Sequence, residues 1–137
     1  MQFENKLVAI VNKELDIGVA MNAVAHMTLG LGAALGRDNT HLDDYQDKDG
    51  NIYPNISGMP FIILRGKSSE IRKAIRAARE HDIKHGVFLH TMTGGTYKEQ
   101  LVNTSLTIEE ELKFYSCVLF GKWNKVSEIT KRFSLYN

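Results

Sequence analysis

The sequence predicts an α/β protein, a three-layer α/β/α sandwich, on three observations. The run LVAIV within Lys6–Asn12 is continuously apolar rather than alternating, the pattern of a strand covered on both faces. Three more apolar segments, Met59–Arg65, Gly86–Met92 and Lys113–Phe120, read as strands. Segments of helical period fall between and after them, at Ile17–Gly36, from Lys67 to about His81, and from about Asn124 to Arg132. Strands alternating with helices fold as a sheet between helical layers, with right-handed crossovers where strands run parallel.

After the first strand, Lys13-Glu14-Leu15-Asp16 form a short loop. Asp16 stands at the N-cap position, where its carboxylate also suits the positive end of the helix dipole. In the long helix, Ile17, Met21, Val24, Thr28, Leu31 and Leu35 recur at steps of four and three, one face packed on a core. Gly18, Ala20, Ala23, Ala25, Gly30, Gly32 and Ala33 leave its other faces open to close approach, so the helix reads as buried. Asn22, His26 and Thr28 bring polarity inside. A buried polar group without a partner loses roughly 1–3 kcal/mol, so Asn22 and His26 are either paired core residues or part of a site, and for His26 the paired core residue is the commoner case. The stretch is long enough for a membrane span, but four glycines and these polar residues make it a poor one.

From Arg37 to Gly58 the chain turns polar, a surface excursion with a short hairpin expected at Asp49-Gly50. Its Asp47-Lys48-Asp49-Gly50 resembles a calcium loop only superficially: with Gly50 at the sixth position, Tyr45 and Ile56 fall where acidic ligands are needed. The second helix opens at Ser68 or Ser69 as cap, with Glu70 in the first turn. Ile71, Ala74, Ile75 and Ala78 face the sheet, and Arg72, Lys73, Arg76 and Arg79 form a basic stripe on the opposite side. Such a stripe can contact RNA phosphates but is more often a solvated face. Beyond the third strand, Thr93-Gly94-Gly95-Thr96 is a flexible loop rich in hydroxyls and backbone donors, at a strand end where sites are built. Glu109-Glu110-Glu111 reads as an exposed turn. The last helix turns Val126, Ile129 and Phe133 to the core.

At 137 residues and 43% hydrophobic, the chain is expected to form one domain over residues 1–137. A net charge of +1 gives no global attraction to nucleic acid or to an anionic membrane. The single cysteine, Cys117, excludes an internal disulfide and suits a reducing compartment. The segment MQFENKLVAIVNKE carries charges on both sides of a short apolar run and no cleavage-site pattern, so it does not read as a signal peptide. A cytoplasmic protein is expected, without a cofactor and without a metal. His81 and His85 have helical metal-ligand spacing, but the helix should end before His85. Trp123 and Tyr97 belong to no aromatic-and-basic cluster of the kind single-strand binders show.

The strand leading into Gly18-Val19-Ala20-Met21-Asn22-Ala23-Val24-Ala25-His26, the continuation Leu29-Gly30-Leu31-Gly32-Ala33, and the closing Leu119-Phe120-Gly121-Lys122 with Lys131-Arg132-Phe133-Ser134-Leu135 resemble the domain of unknown function 2000 family over essentially the whole chain. That family resembles the type II peptidyl-tRNA hydrolases, and the resemblance implies a mixed four-stranded sheet between helices. The hydrolase motif laid on this chain matches Gly18 and His26. Its lysine falls on Val19, its glutamine on Ala23, and the region His90–Thr96 lacks the aspartate that follows the third strand in the hydrolases.

A site in an open α/β sheet lies where strand ends and a helix start converge. The candidates there are Asn12, Lys13, Gly18, Asn22, His26, Thr91, Thr93 and Thr96. Lys13 and the free N–H groups near Gly18 favour an anion, Asn22 and the threonines would orient a polar ligand, and His26 is the one general base available. Two readings follow: a binding or regulatory domain for a small anionic or nucleotide-like ligand, or a hydrolase acting on peptidyl-tRNA or a related substrate through Lys13 and His26. The small-residue faces of the long helix also make a homo-oligomer an expectation, whereas no membrane contact is expected and tRNA is a possible partner only through the hydrolase resemblance.

Overall fold

The computed structural model describes residues 3–137. In chain order the elements are β1 (Asn5–Asn12), α1 (Ile17–Asn39), β2 (Leu42–Gln46), β3 (Ile52–Ser57), β4 (Phe61–Gly66), α2 (Ser68–Glu80), β5 (Lys84–Leu89), α3 (Tyr97–Ser105), β6 (Phe114–Lys122), α4 (Trp123–Thr130) and β7 (Ser134–Leu135). Single 3-10 turns lie at His90–Met92 and Glu109–Glu111.

β1 takes the centre of the main sheet, as an uninterrupted apolar run requires: Val8, Ala9 and Ile10 are fully buried. The strand order is β5-β6-β1-β4-β7. The sheet therefore has five strands rather than four, the fifth being the two-residue β7, too short to leave a period in the sequence. Among the described residues only β1 and β4 pair in parallel, with Ala9 opposite Ile63. β6 runs antiparallel to β1, with Val8 opposite Leu119, and β5 antiparallel to β6. A continuous apolar run reports cover on both faces, not strand direction, so β6 is as apolar as β1 although it runs antiparallel.

Helices cover both faces. On one, α2 and α4 close over Val8, Ile10, Cys117 and Leu119, with Ile71, Ala74, Ile75, Ala78 and Val126 turned inward. On the other, α1 packs on Leu7, Ala9, Val118 and Phe120. The buried side of α1 is Ala20, Ala23, Met27, Leu31 and Leu35, not the series through Ile17, Met21 and Val24: Ile17 and Met21 are 60% and 66% exposed. Small residues let the helix lie close to the strands. A Cβ on Gly86 of β5 would sit 3.2 Å from the Met27 carbonyl oxygen, so glycine there is what admits α1. The helix is broken at Gly36, whose φ of 81° favours glycine.

One cap falls where expected and one does not. Asp16 holds the N-cap position of α1 without a side-chain hydrogen bond. At α2 the N-cap is Lys67, not Ser68 or Ser69; the Glu70 carboxylate accepts the Lys67 N–H at 2.8 Å, while Ser68 Oγ accepts the Phe114 N–H at 2.9 Å. The hairpin expected at Asp49-Gly50 is present as β2–β3, a separate two-stranded sheet.

Candidate functional site

α1, β5 and α3 enclose a cleft of about 630 Å³, within the ~300–1,000 Å³ of small-molecule sites. Asn22, His26 and Met27 come from α1, Val87 and Phe88 from β5, Met92, Thr93 and Gly94 from the following turn, and Tyr97, Gln100, Leu101 and Thr104 from α3. Gly94 and Gly95 both have positive φ, 70° and 69°, which turns the chain so that α3 folds back against the His90–Met92 turn. α3 then starts on a reciprocal cap: Thr96 Oγ1 accepts the Glu99 N–H at 3.2 Å, and the Glu99 carboxylate accepts the Thr96 N–H at 3.3 Å.

The rings of His26 and Phe88 lie 5.7 Å apart between centroids, and Tyr115 continues the series 6.3 Å beyond Phe88. Gln100 Nε2 donates to the Gly94 carbonyl at 3.0 Å, and Thr104 Oγ1 lies 2.7 Å from Thr91 Oγ1 and 2.8 Å from the Gln100 carbonyl. The α3 roof is thus tied to its own turn. Tyr97 and Leu101 remain 75% and 55% exposed, apolar surface at the mouth. Among the described residues, no lysine, arginine, aspartate or glutamate lines the cleft, and His26 is its one imidazole.

Of the residues expected at a site, the structure brings Asn22, His26 and Thr93 to one cleft. His26 is exposed there, which replaces its reading as a paired core histidine. Asn12 is buried and tied to backbone at both ends of its amide: Nδ2 donates to the Phe114 carbonyl at 3.1 Å and Oδ1 accepts the Glu14 N–H at 2.9 Å. Lys13 is exposed beyond β1, its backbone N–H bonded to the Gly66 carbonyl on the β4 side, and neither it nor Gly18 lines the cleft. Thr91 touches Thr104 beneath α3, and Thr96 is a helix cap. Sequence reasoning missed Phe88, Tyr97, Gln100, Leu101 and Thr104. The signal for four of them was the capping box Thr96-Tyr97-Lys98-Glu99, which announces α3.

Two other constellations have structural duties. Cys117 is wholly buried, and desolvation pushes its thiol up to about 12, far from a reactive thiolate. The basic stripe is engaged by the acidic turn: Arg76 reaches Glu109 and Glu110, each at 2.6 Å, and Arg79 reaches Glu109 at 2.8 Å. Hydrogen bonds from Arg79 and then Arg76 hold the Glu109 carboxyl below its ordinary value. Arg72 donates to the Glu110 and Leu112 carbonyls. α2 ends at Glu80 and His85 lies on β5, so His81 and His85 share no helical face.

Fold and cleft together define a mixed α/β fold with an uncharged pocket between its long helix and a short covering one. The chain belongs to the family described as a protein of unknown function, DUF2000, which it matches over residues 5–137. Among solved structures it is similar to a protein of unknown function, Atu0240, from Agrobacterium tumefaciens, with a TM-score of 0.86 and 23% identity over 99% of this chain and 100% of that one. That likeness concerns the fold. No curated protein matches the chain.

Proposed function

We propose that the protein is a cytoplasmic small-ligand-binding or regulatory domain whose ligand is nucleotide-like in carrying a planar heterocycle, held in the cleft by its uncharged part. The observation that carries this reading is the lining of the cleft: aromatic faces from Phe88 and Tyr97, amide and hydroxyl groups from Asn22, Gln100, Thr93 and Thr104, and no fixed charge. Stacking surfaces with a few convergent polar groups suit a flat molecule that needs orientation. An anionic group on the ligand has no cation inside the cleft, because Lys13 lies outside it, and so would project toward solvent.

Chemical-shift mapping on the full chain tests this with two probes, adenosine and adenosine monophosphate. The expected result is that both perturb Asn22, Phe88, Tyr97 and Thr104 amides with similar affinity, and that His26→Ala weakens both. Much tighter binding of the monophosphate, with shifts near Lys13, would move the site to the loop after β1.

The second reading is a hydrolase of the type II peptidyl-tRNA class, favoured by one observation: an accessible imidazole, His26, in a cleft with hydroxyl groups. Val19 stands where the hydrolase lysine would be, and it cannot supply a cation. Release of free tRNA from a defined peptidyl-tRNA separates the readings. Turnover lost in both Lys13→Ala and His26→Ala supports the hydrolase, and no release with enzyme in excess supports a binding domain.

A further inference from the structure

The two faces of the main sheet are covered unequally. α2 and α4 share one face, whereas on the other α1 lies over β5 and β6 and reaches β1 only lightly. Five strands at ~4.8 Å spacing make a sheet ~20 Å wide, and a helix is ~10 Å across, so one helix leaves about half of that face bare. The bare half is β4. Phe61 and Ile63 are in register with Leu7 and Ala9, which belong to the α1-side core, so they point to this face; each is 37% exposed. Between Phe61 and α1 runs an apolar trough of about 740 Å³, with Val24, Thr28 and Gly32 on its helical wall and Arg37 and Leu42 at one end.

This side of α1 is made to be covered. No charged residue occurs from Ile17 to Gly36, yet only 22% of the helix's most apolar stretch is buried. Leu29 is 76% exposed, beside the exposed Ile17 and Met21. A Cβ on Gly30 or Gly32 would meet nothing within 4 Å, so packing within the chain does not require glycine at either position, although each weakens the helix relative to alanine. Contiguous apolar surface of this extent marks an interface.

We infer that the trough is filled by α1 of a second copy of this chain, the two helices running antiparallel about a two-fold axis near Ala25 and Thr28. The occupant must be helix-sized, uncharged along its length and complementary in side-chain size, and α1 is all three toward itself. Its trough side carries large residues in the first half and glycines in the second. The antiparallel register that sets Met21 on the partner's Gly32 also sets Ile17 on the partner's Gly36 and Val24 against the partner's Leu29. Asp16 then approaches the segment just past the partner's break at Gly36, where Arg37 carries the opposite charge, at ends whose helix dipoles also oppose. Every contact is made twice, as an isologous interface requires. A stable complex buries roughly 800 Å² per partner; α1 supplies part of this, and Phe61 with Leu42 and Asn55 of the hairpin extends the surface.

Sedimentation equilibrium of the full chain is expected to give twice the 15.5 kDa chain mass. A Cβ at Gly32 meets no atom of its own chain within 4 Å, and leucine is a strong helix former, so helicity should persist in Gly32→Leu while two overpacked contacts raise the dimer dissociation constant roughly 100-fold. Asp16→Arg should weaken the dimer, and the double variant Asp16→Arg with Arg37→Asp should restore it. A monomer at every soluble concentration overturns the inference. So does a dimer indifferent to Gly32→Leu, or a monomer that instead sediments with phosphatidylcholine vesicles.

Discussion

His26 on α1 and Phe88 on β5 lie ring against ring, 5.7 Å apart with 32° between their planes, and this pair joins the long helix to the edge of the sheet inside the cleft. The two partners differ in exposure: Phe88 is 7% exposed, His26 open to solvent. Phe88→Ala should therefore destabilise the protein by roughly 3–5 kcal/mol, the range for a large aromatic removed from a packed site. His26→Ala should change stability by less than about 1 kcal/mol while weakening ligand binding. Urea denaturation of both variants checks the contrast; comparable losses in the two would show that His26 is a packing residue after all.

Asn12 is expected to behave as a structural residue. Asn12→Ala leaves the Phe114 carbonyl and the Glu14 N–H without their side-chain partner, at a cost of roughly 1–3 kcal/mol. Ligand affinity, measured where the variant remains folded, should stay that of the parent, since Asn12 does not line the cleft.

The Cys117 thiol should resist alkylation. It has no accessible surface, and burial raises it to about 12, so iodoacetamide at neutral pH should label it only after denaturant is added. Rapid labelling of the native protein would require an opening of the sheet near β1 and β6.

The hairpin turn is expected to weaken in acid. Asp47 is held down to about 2 by hydrogen bonds from the Asn51 side chain, the Tyr53 hydroxyl and backbone N–H groups. A carboxylate depressed in the folded state stabilises fully above its unfolded value of about 3.9, and that contribution disappears as pH falls through about 2. Amide exchange at Asp49 and Asn51 should thus lose protection, relative to the sheet, between those values. Asp47→Asn should remove the dependence.

What the sequence made legible was period and punctuation. LVAIV located the central strand, the series Ile71, Ala74, Ile75 and Ala78 gave the buried face of α2, and Asp49-Gly50 marked the hairpin. The face of α1 was not legible, because apolar residues occur nearly all round it and the smallest, Ala20 and Ala23, go inward for close packing. Sequence separation hid the ion pairs: Arg76 and Glu109 each resemble solvated surface until the fold brings α2 against the acidic turn. At the site, His26 and Asn22 were legible as polar residues on an apolar helix. Their partners on α3 were not, because none of that helix is buried and its apolar pattern is weak.

The strand pairing also governs how the chain is made. β1 is joined on one side to β4 and on the other to β6, with Val8 beside Leu119, so its second edge stays unsatisfied until β6, some hundred residues later, has emerged from the ribosome. Through that interval a nascent chain presents LVAIV as an open strand edge and α1 with little to pack against. Pairing so distant in sequence is slow to close and prone to wrong associations. For this protein the hazardous stage is thus the wait during synthesis, and a pause in translation before Phe114 would lengthen it.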